Sequence, residues 1–290
     1  MNNSLWVKCV SWHKKTSQNK INLLDAKLVG LSTAIYCWRK IDTDITFEGG
    51  FLKVLFKNTG IEWLIKLFLT YKIYNRDIKI NNNNQNAVIF LLDVNSKSVD
   101  NTLKPIYKAL KKDKLNKNID FYCILMTKNL LKNAKNLFDE DKSVSYIFCN
   151  SKFPSIKSIV HCNHLVKTAK KNLNSKIFFW LFSVFYFSLS ILPFYKKILH
   201  EYSLKYNKAI FISASDFHMS SKMVSILAKE YSNLQTVAFV HGAISITETM
   251  KPMTSDYFCV WSNFQKQLLL DIGIEESKIK VMGNPFRKSS

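Results

Sequence analysis

Acidic residues are scarce in this chain: 21 Asp and Glu stand against 42 Lys and Arg, a formal charge of +21 over 290 residues. Such an imbalance predicts an anionic partner, and nucleic acid and the anionic cytoplasmic membrane leaflet both qualify. Nucleic acid is disfavoured, because the cations are almost all lysines and no RNP, zinc-finger or zipper pattern accompanies them. High Lys, Asn and Ile are also what AT-rich coding produces, so the charge by itself decides little. No CxxC pair occurs among the six cysteines, and Cys123 and Cys259 sit inside apolar runs, which predicts buried reduced thiols. The N-terminus lacks the charged-then-apolar pattern of a signal peptide, so export is not expected.

What is present is a core-forming chain, with 47% hydrophobic and 13% aromatic residues, long enough for one or two domains. Residues 1–80 read as a helical N-terminal region. Its first fifty residues carry Trp6, Trp12 and Trp38 without a clear period, whereas 51–74 place apolar residues at helical spacing on either side of Gly60. Packing on the core and lying on a membrane surface are both open for that helix pair. Asn81 to Asn86 is a polar linker.

A βαβαβ pattern follows. Ala87–Val94, Ile119–Thr127 and Val144–Cys149 read as strands, and Val99–Lys112 and Lys128–Phe138 as helices; Pro105 allows the first helix to begin there instead. The turn after the first strand, Asp93-Val94-Asn95-Ser96-Lys97, is neither GxGxxG nor GxxxxGK[ST], so a dinucleotide or P-loop site is not expected there. His161 and His164 could share a helix face, but no further ligand cluster accompanies them, and no metal is predicted.

Residues 177–195 carry no charge and nine aromatics between Lys176 and Lys196-Lys197. As a helix this run nearly matches a hydrocarbon core of roughly 30 Å. A single span would put the strands before and after it on opposite sides of a bilayer. The preferred expectation is therefore a shallowly inserted, membrane-associating element, with a buried core helix and a true span as alternatives. The surrounding residues 151–210 hold ten lysines and one acid, Glu201, a balance suited to anionic headgroups.

Beyond it, Ala209–Ser213 reads as a strand ending at Asp216, and Ser220–Tyr231 as a helix. The stretch Gln235–Arg287 then reads strand, loop, strand, helix, strand. Its apolar runs are 236–240, 257–261 and 278–282; the helix Asn263–Ile272 stops at Gly273. Strands alternating with helices predict a parallel sheet whose ligands bind at the carboxyl ends of its strands. Asp216 and His241 would meet there if their strands are neighbours. A carboxylate so placed can take a proton from a hydroxyl, and an imidazole can act as base or donor. Both positions also have plainer uses, since Asp216 can cap the following helix and Gly242 can serve only the turn.

The order strand-HG, Lys251-Pro252, SDYFCVWS, leucine-rich helix, KIKVMGNP resembles the bacterial GT-B glycosyltransferases of capsule and surface-polysaccharide synthesis. More distantly it is similar to the UDP-N-acetylglucosamine 2-epimerases. The resemblance is dense over Gln235–Arg287 and looser back to Asn86. It implies an α/β, GT-B-like, Rossmann-type parallel sheet with flanking helices. The acceptor-side domain would occupy residues 87–282, with the start of a hinge at 283–290 and the second domain largely missing. It implies Asp216 as general base and His241 as an acceptor- or phosphate-contacting group, with Gly242, Glu248 and Asn284 on the substrate side and Asn284-Pro285 shaping the hinge. Glu248 is a second candidate acid.

The expected partners are a nucleotide sugar, as substrate rather than cofactor, a lipid-linked or growing glycan, and the cytoplasmic face of the inner membrane. The alternatives are a UDP-sugar 2-epimerase, a glycerophosphotransferase-like enzyme, or an inactive membrane-associated remnant.

Overall fold

The computed structural model describes residues 84–94, 97–112, 118–151, 178–216, 218–239, 253–271 and 273–283, besides isolated helical positions at 65, 156 and 160. In the long helix that starts at Phe178, burial is described from Tyr186 onward. The helix pair expected in 51–74, the His161/His164 pair, His241, Gly242, Glu248 and Asn284 lie outside the described residues.

Seven strands form one sheet: β1 (Asn86–Leu92), β2 (Ile119–Leu125), β3 (Val144–Phe148), β4 (Lys208–Ser213), β5 (Leu234–Phe239), β6 (Tyr257–Val260) and β7 (Ile279–Val281). Their spatial order is β3-β2-β1-β4-β5-β6-β7, and every neighbouring pair is parallel. The helices between them are α1 (Lys97–Lys112), α2 (Leu131–Leu137), α3 (Phe178–Lys205), α4 (Met219–Leu227) and α5 (Asn263–Asp271). Short 3-10 turns precede α2, follow α4 and precede β7. This is the doubly wound α/β arrangement that the alternating sequence pattern predicted.

A strand covered on both faces must be apolar at every position rather than at alternate ones. β1 meets that requirement, with all of Ala87–Leu92 buried. Phe90 on one face packs with Tyr107 of α1 and Phe138 beyond α2. On the other, Tyr202 of α3 meets Tyr122 of β2 and Phe211 of β4 edge-on. A second cluster, Ala238, Phe258, Val260, Leu269 and Ile279, packs α5 onto β5–β7. Cys123, Cys149 and Cys259 are buried free thiols, and burial pushes the Cys259 thiol up to about 11.

α1 runs through Pro105 rather than starting there, with Val99, Leu103 and Tyr107 buried along one face. α5 ends in a Schellman motif: the Ile274 N–H donates to the Leu269 carbonyl and the Gly273 N–H to that of Leu270. Gly273 has φ 85°, a conformation glycine adopts without steric cost.

The chain divides into two compact units, residues 1–73 with 150–193 and residues 74–149 with 194–290. The second contains the whole sheet. α3 crosses from one to the other, so the uncharged run 177–195 is divided at Pro193. In the second unit, Tyr195, Ile198, Leu199 and Tyr202 of α3 are fully buried, while Lys196, Lys197 and His200 on the opposite face are exposed. No helix among the described residues is long and apolar enough to cross a membrane.

Candidate functional site

After β1 the chain builds outward through β2 and β3, then returns to place β4 on the other side of β1. The point where the order reverses lies between β1 and β4, and ligands of such sheets bind beyond the carboxyl ends of the strands there. A carboxylate stands in the turn after each of those strands: Asp93 immediately after β1 and Asp216 three residues after β4.

Asp93 is turned to the start of α4. The backbone N–H of Ser220 donates to its Oδ2 at 2.9 Å, and the Ser220 hydroxyl donates to Oδ1. A helix N-terminus has unpaired N–H groups and a positive dipole end, so it attracts an anion. Here the anion is supplied by the protein itself. Sequence reasoning marked the Asp93 turn only for what it lacked; no signal along the chain pairs it with a helix that begins more than a hundred residues later.

Asp216 does not cap α4, whose N-cap residue is His218. Its carboxylate is 2% exposed and points inward. Lys222 Nζ, itself in a residue 2% exposed, donates to Oδ2 at 2.5 Å, and the Thr254 N–H donates to the same oxygen at 3.1 Å. The Ser255 hydroxyl donates to Oδ1 at 2.5 Å. Ser225 extends the cluster: its hydroxyl shares a hydrogen bond with that of Thr254 at 2.5 Å and donates to the Lys222 carbonyl at 3.0 Å. Burial pulls the Lys222 ammonium below its ordinary value, opposed by the adjacent Asp216 charge.

Removing two charges from water costs several kcal/mol each, roughly, and their attraction offsets that only when the remaining hydrogen-bonding positions are filled. In this cluster both carboxylate oxygens accept hydrogen bonds from the protein. Oδ2 already takes two donors, so it could act as a base only once Lys222 withdraws. Lys222, Ser225, Thr254 and Ser255 escaped sequence reasoning, because nothing in their spacing marks them as neighbours of Asp216.

The entry to β6 is held a second time by its neighbour. Asp256 Oδ2 accepts from the Thr236 N–H at 2.8 Å and from the Thr236 hydroxyl at 2.7 Å. Among the described residues, no group of three His, Cys, Asp or Glu side chains is arranged to hold a metal ion.

The fold and these turns define a Rossmann-like α/β protein with its candidate site at the reversal of strand order. No protein-family model matches the chain, and no curated protein matches it by sequence. Among solved structures it is similar to one titled "Crystal structure of UDP-N-acetylglucosamine 2-epimerase", at 13% identity and a TM-score of 0.42. The likeness covers 68% of this chain and 48% of that one, so the chain spans about half the length of that protein. It concerns the fold and carries no argument about activity.

Proposed function

We propose that this chain is the acceptor-side half of a nucleotide-sugar-processing protein, a glycosyltransferase-like component of surface-polysaccharide synthesis. It would take part in moving a sugar from a nucleotide sugar to a lipid-linked or growing glycan, on the cytoplasmic face of a membrane. The sequence order from strand-HG to GNP supports this reading. One structural observation carries it furthest: of the helices that start at the strand-order reversal, α4 has its N-terminus filled by Asp93 rather than left for a phosphate. That helix end is poorly suited to grip a diphosphate, which is in keeping with an acceptor role for this sheet. The donor's phosphates would then be held by a second domain. His241, Gly242, Glu248 and Asn284 are the proposed contacts to substrate, with Asp216 the proposed base if Lys222 releases it. A UDP-sugar 2-epimerase is the second reading, carried by the same doubly wound sheet.

Both are tested by incubating the chain, alone and with a co-expressed candidate donor-binding domain, with UDP-sugars labelled in the sugar. The reactions are run with and without a polyprenyl-linked saccharide. Label entering the lipid fraction only when acceptor is present supports transfer. Epimerised free UDP-sugar without acceptor supports the second reading. Neither product, together with no calorimetric binding of any UDP-sugar, overturns both.

A further inference from the structure

The β5–β6 connection holds His241, Gly242 and Glu248 in sequence, and it returns to the described fold at Met253–Asp256. Thr254 and Ser255 are the first residues there with side chains fixed by hydrogen bonds, and both are bonded to the polar cluster on α4 and the β4 turn. Ser255 is buried, Thr254 donates through its backbone N–H and shares a hydrogen bond through its hydroxyl, and among the described residues the charged members of the cluster are Asp216 and Lys222. An apolar cluster of the same volume would pack without specifying which residue of the connection lies against α4. A buried carboxylate with two oxygens to fill specifies both the residue and the register, the best-attested use of a buried charged group.

We infer that Asp216 and Lys222 form a positioning lock, which fixes Thr254–Ser255 against α4, at the end of the connection that carries His241, Gly242 and Glu248 in sequence. Lys222 is the countercharge that allows Asp216 to stay buried, and Asp216 is the acceptor that selects Thr254 and Ser255. Both are positioning residues in this role, acting on the site through Thr254 and Ser255. The link to substrate rests on the proposed function; the lock itself does not.

The test uses the full chain, with amide hydrogen exchange read at Thr254 and Ser255 against Val237 and Ala238 inside β5 as internal controls. Asp216→Asn and Lys222→Met each leave one charge or acceptor without its partner, so both should lower the urea midpoint. The double variant Asp216→Asn/Lys222→Met removes both charges and should regain much of the midpoint. Its Thr254 amide should nevertheless exchange about tenfold faster than in the parent, because the charged acceptor is gone. Ser255→Ala, which leaves the ion pair in place but takes the donor from Oδ1, should lower the urea midpoint and speed exchange at Ser255 and Thr254 about threefold or more beyond any change in β5. These two variants keep the test informative if the single charge variants do not fold.

Parental exchange at Thr254 in the double variant, or equal acceleration at Thr254 and in β5, would overturn the lock. A calorimetric titration with the polyprenyl-linked saccharide acceptor separates the two claims: absence of binding in the parent counts against the proposed function, while the exchange data still decide the lock. Where the parent binds, Ser255→Ala should weaken affinity about threefold or more, and unchanged affinity would overturn the link between lock and site.

Discussion

Three lysines on one face of α1 converge on the acidic turn after α2. Lys104 and Lys108 reach Asp139 at 2.5 and 3.1 Å, and Lys111 pairs with Asp141. Asp141 also accepts from the Tyr107 hydroxyl at 2.5 Å and from the Ser143 N–H at 2.9 Å. Burial pushes the Asp141 carboxyl up, but these hydrogen bonds together outweigh it and hold the group well below the usual carboxylate range. The sign of the pH dependence follows. A depressed folded-state value stabilises the fold above the unfolded value of about 3.9 and ceases to do so as pH falls through the folded one. Asp141→Asn should cost about 1–2 kcal/mol near neutrality. The gap between its urea midpoint and that of the parent should close as pH drops from about 7 toward 2. A gap independent of pH would show that the carboxylate charge does not contribute. Because Asp139 and Asp141 already answer them, Lys104, Lys108 and Lys111 are poor candidates for an anion-binding face.

At the scale of elements, the α5 terminus offers a clean test of backbone conformation. No heavy atom lies within 4 Å of where a Cβ on Gly273 would sit, so Gly273→Ala meets no steric neighbour and isolates the strain at φ 85°. It should destabilise by about 1 kcal/mol, with Gly273→Asn costing less, as read from denaturant midpoints.

That stop was legible in the sequence, as were all seven strands to within two residues and α1, α2 and α5 to within three, while α4 ends four residues before the expected Tyr231. Unbroken apolar runs bounded by Gly, Asn and Asp are a strong signal when both faces of a sheet are covered. The reach of α3 was less legible. The run 177–195 drew attention by lacking charge, and Lys196-Lys197 looked like its end. Tyr195, Ile198, Leu199 and Tyr202 nonetheless continue one buried face past those lysines, at spacings of three and four. Of the candidate site, the placement of Asp216 after a strand was legible and its surroundings were not. Lys222 lies six residues on, outside the first-turn neighbourhood of Asp216, and Thr254 and Ser255 arrive from another crossover. Such partners follow from the order of strands, which a single sequence leaves open.

For the whole molecule, the charge of +21 is the property to be explained. If the proposed membrane docking is correct, the protein should sediment with vesicles containing anionic lipid at low ionic strength. It should be released at about 0.5 M salt, where the screening length falls to a few Å, and vesicles of neutral lipid should not retain it. Equal retention on both vesicle types would place the charge elsewhere in the protein's chemistry.

The pairing of β1 also has a consequence during synthesis. One neighbour, β2, starts at Ile119, but the other, β4, does not begin until Lys208. At roughly 5–20 residues per second, a ribosome needs several seconds to make the intervening chain. Throughout that interval a strand apolar from Ala87 to Leu92 lacks its β4 partner along one hydrogen-bonding edge. Nascent chains of this protein should therefore be clients of ribosome-associated chaperones, and slow translation between β2 and β4 should lower its soluble yield.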